Sequence, residues 1–194
     1  MEQLLTESLQ LDPLTRDDYP WLCALYADPE VMRYIGSGVR TEEQSLASLD
    51  FLLAQAARLP YGYWVLRELV SAERVGGALL VVRREGTPVE LGFVLSRASW
   101  GRGFATQVAR SLVAHAFGVL QVPELQAFTD VENAASGAVL RKAGLRDVGL
   151  THGPYGGIDR RFALTREEWL SASAARAAAP GGETPVPPPR SRRA

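Results

Sequence analysis

Residues 88–120, PVELGFVLSRASWGRGFATQVARSLVAHAFGVL, leave the chain few ways to fold. In 104–120, Ala105, Val108, Ala109, Leu112, Val113 and Ala116 recur on one face at helical spacing. A helix with such a stripe must lie on an apolar surface. The alternating segment 88–97 reads as a strand of the sheet that supplies that surface. Between them, Gly101 and Gly103 flank Arg102, and the helix starts without a linker. The first amides of a helix have no intrahelical partner, and the positive end of the helix dipole favours an anion there. A turn that only reverses the chain is the competing reading, and the fragment alone does not choose.

Two common phosphate motifs do not fit. A P-loop needs a lysine after its second glycine, and none is present. A dinucleotide fingerprint starting at Gly101 and Gly103 would have Thr106 where it needs glycine or alanine.

The rest of the chain reads as alternating strands and helices. SLQLDPLT at the start is a strand that ends at Pro13, and the run 15–31 is a helix that Thr15 or Asp17 can cap. A second helix covers 41–59, capped by Thr41. Strands follow at 61–69 and 74–84, joined by a turn near Ser71–Arg74. A further strand lies at 124–131, and a short helix at 133–144 has Asn133 at its cap and Gly144 as its stop. A last strand at 160–165 leads into a short helix at TREEW. The expected architecture is a single α/β (α+β) domain with one central, mostly antiparallel sheet flanked by helices. The domain is expected over 1–170, with 171–194 an Ala-, Pro- and Arg-rich disordered tail.

Composition narrows the function classes. A net charge of −1 supplies no overall field for nucleic acid or an anionic membrane. No apolar run is long enough to span a bilayer, and 1–13 does not have the pattern of a secretory signal. The single cysteine, Cys23, allows no disulfide within the chain, consistent with the cytoplasm. The two histidines and scattered carboxylates predict no metal site.

Several motifs in fixed order carry a family resemblance. They are the strand ELGFVL, then W-G-R-G-F-A-T, then N-x-x-S at Asn133 and Ser136, then V-L-R-K-A-G-L at 139–145. The set resembles the GNAT superfamily of acyl-CoA-dependent N-acetyltransferases, and within it the branch of the ribosomal-protein N-terminal acetyltransferases RimJ and RimL. The resemblance covers about 1–170. It implies acetyl-CoA as co-substrate and a sheet splayed at the cofactor site. The turn would hold the pyrophosphate through the amides of Arg102, Gly103, Phe104, Ala105 and Thr106. The backbone of Phe93, Val94 and Leu95 would pair with the pantetheine arm. Asn133 would contact that arm, and Arg141 and Lys142 lie where the family's next helix meets the cofactor. Trp100 stands where much of the superfamily has Gln or Arg, as is usual in this branch.

For the chemistry, an amine must lose a proton before it attacks a thioester. The resemblance implies Glu90 as the base, against the alternatives of an exposed strand glutamate or an ion pair. The family's common acid, a tyrosine two residues before Lys142, is replaced by Leu140. Ser136 is the substitute the branch implies, against a serine that bonds its own helix. His152 and Tyr155, in the Gly-rich stretch 151–160, are expected to touch the acceptor. His115 and Cys23 are read as core. The acceptor is a protein N-terminus or a small amine, and the chain a monomer or homodimer. A non-catalytic acyl-CoA-binding or sensing module is the alternative that Leu140 keeps open.

Overall fold

Strand β3 (Tyr63–Glu68) shows how the chain is layered. Successive side chains on a strand point to opposite faces of the sheet. Trp64 and Leu66 pack with Leu9, Leu80, Val108 and Phe117. Tyr63 and Val65 pack with Leu22, Met32 and Leu49. Both faces are therefore buried, each against helices, which gives three layers. The computed structural model describes residues 1–178.

The other strands are β1 (Leu4–Leu5), β2 (Leu9–Pro13), β4 (Arg74–Val81), β5 (Val89–Leu95), β6 (Glu124–Asp130), β7 (Arg146–His152) and β8 (Ile158–Thr165). Their order in the single sheet is β1-β2-β3-β4-β5-β6-β8-β7. Every neighbouring pair is antiparallel except β5 and β6, which run parallel. The helices are α1 (Tyr19–Tyr26), α2 (Pro29–Met32), α3 (Glu42–Ala56), α4 (Phe104–Ala114), α5 (Ala134–Lys142) and α6 (Arg166–Ala178). The apolar stripe of α4 buries Phe104, Val108, Ala109, Leu112 and Val113. The helix then passes into a π-helical turn at His115–Val119, where His115 is buried edge-on to Trp64.

The structure departs from the sequence expectations in four places. The run 15–31 is a 3-10 turn (Arg16–Asp18) followed by α1 and α2, and the break falls at Pro29. Proline favours a helix start, and Asp28 caps the new helix by accepting the Glu30 amide at 2.9 Å. Thr15, not Asp17, caps the entry turn, paired with Asp18. Strand β7 was not expected from the sequence; its outward residues Val148 and Leu150 are exposed and Gly149 bends it at φ 102°. Finally, α6 extends to Ala178, so 171–178 is helix where a tail was expected, with Trp169 packed on Phe117. The remainder of that stretch, 179–194, lies outside the described residues.

Candidate active site

Strands β5 and β6 pair at only two positions, Val89 with Leu125 and Glu90 with Gln126. Beyond Glu90 they part. The β6-facing edge of 91–95 therefore keeps backbone donors and acceptors without a strand partner, and such groups need one. A cavity of about 1020 Å³ opens in this gap. Phe93, Val94 and Leu95 line it on one side and Ala127–Asp130 on the other.

The glycine turn closes one end. Gly101 and Gly103 have φ of 73° and 78°, a left-handed conformation that costs a residue with a Cβ about 1–2 kcal/mol. Gly103 sits at the N-cap of α4, and its carbonyl accepts the amides of Thr106 (3.1 Å) and Gln107 (3.2 Å). The amides of Phe104 and Ala105 precede these in the first turn, where a helix offers no acceptor. They suit an anion. The Thr106 amide, also expected to hold the anion, bonds the Gly103 carbonyl within the turn, and Thr106 lines the cavity. Trp100 donates its indole N–H to the Leu95 carbonyl at 3.0 Å, which consumes the last acceptor of β5 and anchors the turn to it.

At the other end stands a set of charged side chains. Glu90 is 6 % exposed. Both of its oxygens are held by Arg83, Nε to Oε2 at 2.5 Å and Nη2 to Oε1 at 2.6 Å. Arg83 Nη2 also donates to the Tyr155 hydroxyl at 2.8 Å, and the guanidinium lies 4.7 Å over the Tyr155 ring. Burial alone would lower the Arg83 pKa, but the bonds and charge of Glu90, with Tyr155, outweigh it and raise it. Of the two alternatives weighed for Glu90, the ion pair is the one realised. Asp159 also lines the cavity and stands opposite Asp130 across β6 and β8. Its carboxyl is pushed up, first by burial and then by the charges of Asp130 and Glu90. A Cβ at Gly153 would collide with Asp159 Oδ2, so the glycine is what lets this carboxylate settle against the hairpin tip.

The structure gathers most of the residues expected at the site. Gly103, Phe104, Ala105, Asn133, Ser136, Lys142 and Tyr155 line the cavity together with β5. Asn133 accepts the Ser136 amide at 3.0 Å, so it caps α5 as well as facing the cavity. Three side chains turn elsewhere. Arg102 pairs with Glu68 and stacks on the Phe104 ring, which leaves only its backbone at the turn. Arg141 reaches Asp147 at 3.5 Å and lies over Phe162. His152 is exposed at the end of β7, paired with Ile158, and does not line the cavity. Leu140 is core at 1 % exposed. Sequence reasoning missed Arg83, Asp130 and Asp159. Arg83 and Asp159 are 76 positions apart in the chain, and no short motif links them. Among the described residues, no helix is long and apolar enough to cross a membrane.

Residues 8–146 match a family model described as an acetyltransferase (GNAT) domain. The FsC-acetyl coenzyme A-N(2)-transacetylase of Aspergillus fumigatus is 33% identical over 184 residues, spanning 86% of this chain and 77% of that protein. An acetyltransferase from Agrobacterium tumefaciens shares the fold, with a TM-score of 0.73 at 24% identity, over 84% of this chain and 94% of the other. So does aminoglycoside acetyltransferase AAC(6')-Ib, solved in complex with coenzyme A, with a TM-score of 0.71 at 18% identity over 86% and 99% of the two chains. The splayed β5 and β6, the glycine turn at the start of α4 and the match over 8–146 agree, and the chain belongs to the GNAT acetyltransferase family.

Proposed function

We propose that the protein transfers the acetyl group of acetyl-CoA directly to a primary amine, with no acyl-enzyme. The observation that carries this is the single cavity lined both by an anion-binding turn and by carboxylates. The Phe104 and Ala105 amides suit the pyrophosphate, and the unpaired edge of β5 suits the pantetheine amides. The thioester then lies beyond the splay, toward Glu90 and Asp159. One comparison protein is named an acetyl coenzyme A-N(2)-transacetylase and another an aminoglycoside acetyltransferase. The Trp100-led turn and the N-x-x-S of Asn133 and Ser136 favour the RimJ/RimL-like branch within the family.

The acceptor arrives as an ammonium and must give up one proton to a carboxylate. Glu90 is the residue first expected in that role. Both of its oxygens are already engaged by Arg83. Asp159 lines the cavity without a cationic partner among the described residues, its carboxyl is pushed up first by burial, and it takes the proton in this reading. Glu90 with Arg83 then positions the acceptor. The free amine attacks the thioester carbon, the N–C bond forms and the C–S bond breaks. Nitrogen's second proton passes to the departing thiolate, directly or relayed through the Ser136 hydroxyl, which gives one proton and takes one. The non-catalytic alternative rested on Leu140, and the lining of the cavity by Ser136 and two carboxylates speaks against it.

The test is CoA release with a panel of amines, including peptides with free N-termini. Acetyl-CoA binding without release for any amine overturns the reading. In the same assay, Asp159→Asn removes the acid limb of the pH–rate profile, whereas Glu90→Gln mainly raises the acceptor KM. The reverse pattern returns the base role to Glu90.

A further inference from the structure

The lining of the cavity carries unpaired side-chain charges of both signs, from separate elements. Asp130 and Asp159 stand side by side across β6 and β8, with no cationic partner among the described residues. Arg40 lies between α2 and α3. No carboxylate of the described residues pairs with it either. Its guanidinium lies half-buried, 5.0 Å over the Tyr26 ring. Contacts join the two. Arg40 Nη2 comes within 3.7 Å of the Cβ position of Gly36, and the Tyr155 ring lies 3.6 Å from the same position. Tyr155 carries Arg83, Arg83 carries Glu90, and Glu90 raises the Asp159 carboxyl. Ile35, Phe51 and Leu52 supply an apolar wall beside Arg40.

A partly desolvated guanidinium without a carboxylate is poised to take one from a ligand, by paired hydrogen bonds. Apart from Lys142 on α5, the lining sets four carboxylates, Glu30, Glu90, Asp130 and Asp159, against three arginines, Arg33, Arg40 and Arg83, a near balance. A site built for a polycation would carry a larger excess of carboxylates. The geometry points to an acceptor that holds both charges itself: an amino acid or a small derivative of one, its amine at Asp159 and its carboxylate at Arg40. This rests on the amine-transfer reading above and names the substrate class for it.

The experiment measures kcat/KM for linear amino acids from glycine to 6-aminohexanoate, and for L-leucine and L-phenylalanine. Each is set against its primary amide, with spermidine as the polycation. The expected result is that at least one acid exceeds its amide by tenfold or more and spermidine is the poorest acceptor. Arg40→Gln should bring that acid-to-amide ratio close to one, and Arg40→Lys should keep part of it. Equal use of acids and amides, or a ratio unchanged in Arg40→Gln, overturns the amino-acid assignment and leaves amine transfer standing. Preference for spermidine does the same. Acetyl-CoA binding with no transfer to any acid, amide or polyamine overturns the amino-acid assignment, and the same result extended to peptides with free N-termini overturns both.

Discussion

The two ends of the cavity are built by different means. The end proposed for the cofactor is built chiefly from one continuous stretch, β5 through the glycine turn into α4, and offers mostly backbone. The acceptor end draws side chains from 33–40, from Arg83, from Glu90 and from the hairpin tip at 153–159, and it works through charge. A backbone site depends on local conformation, so a side chain can vary there as long as the turn keeps its shape. Arg102 shows this: its guanidinium serves Glu68 while its backbone forms the turn. A side-chain site depends on which distant segments meet, and every member is exposed to substitution.

The hardest test of the contrast is Gly103→Glu. A Cβ there meets open space, so the fold should persist apart from the strain of the left-handed φ. The new carboxylate would face the bound phosphates, and acetyl-CoA affinity should fall by roughly a hundredfold or more, a cost on the order of 3 kcal/mol. Calorimetry with acetyl-CoA checks this, and unchanged affinity would show that the turn is not the phosphate site.

Asp159→Asn should leave acetyl-CoA affinity unchanged and lower kcat by about 10²-fold, the usual scale for a lost general base. The sign of its effect on stability is also fixed. The folded protein raises the Asp159 carboxyl, so ionisation costs stability as pH rises through that raised pKa. At neutral pH the asparagine variant should melt no lower than the parent. A lower melting temperature with normal turnover in the folded fraction would make Asp159 structural.

Tyr155→Phe removes the bond from Arg83 and keeps the ring. Loss of one such bond is worth about 1 kcal/mol, so the acceptor KM should rise roughly fivefold with little change in acetyl-CoA affinity. Equal effects on both substrates would show that the hairpin tip shapes the whole cavity.

The smallest effect compares neighbours on α5. Lys142 lines the cavity, whereas Arg141 is turned to Asp147. An exposed charge contributes about 0.5 kcal/mol, so Lys142→Ala should weaken acetyl-CoA roughly twofold and Arg141→Ala not measurably. The reverse order would mean that α5 is rotated when the cofactor binds.

The sequence by itself determined a single domain with one mostly antiparallel sheet flanked by helices, most of its elements and the glycine turn before α4. Those features rest on period, capping and turn chemistry, which act over a few neighbouring residues. The stripe of α4 and the two glycines before it are legible for that reason. The break at Pro29 was not expected, although Asp28-Pro29 is a cap followed by a residue that starts helices. Strand β7 was not either, because an edge strand with exposed Val148 and Leu150 carries no buried face to mark it. Only the tertiary structure decided the acceptor end. For Glu90 the sequence left a base, an exposed strand glutamate and an ion pair open, and the fold put Arg83 on both its oxygens; Asp159 read as a loop residue, and β8 brings it opposite Asp130. The physical reason is range. Turn and helix preferences are set within a few residues, whereas the charge state and partners of a carboxylate depend on whatever the fold brings near it.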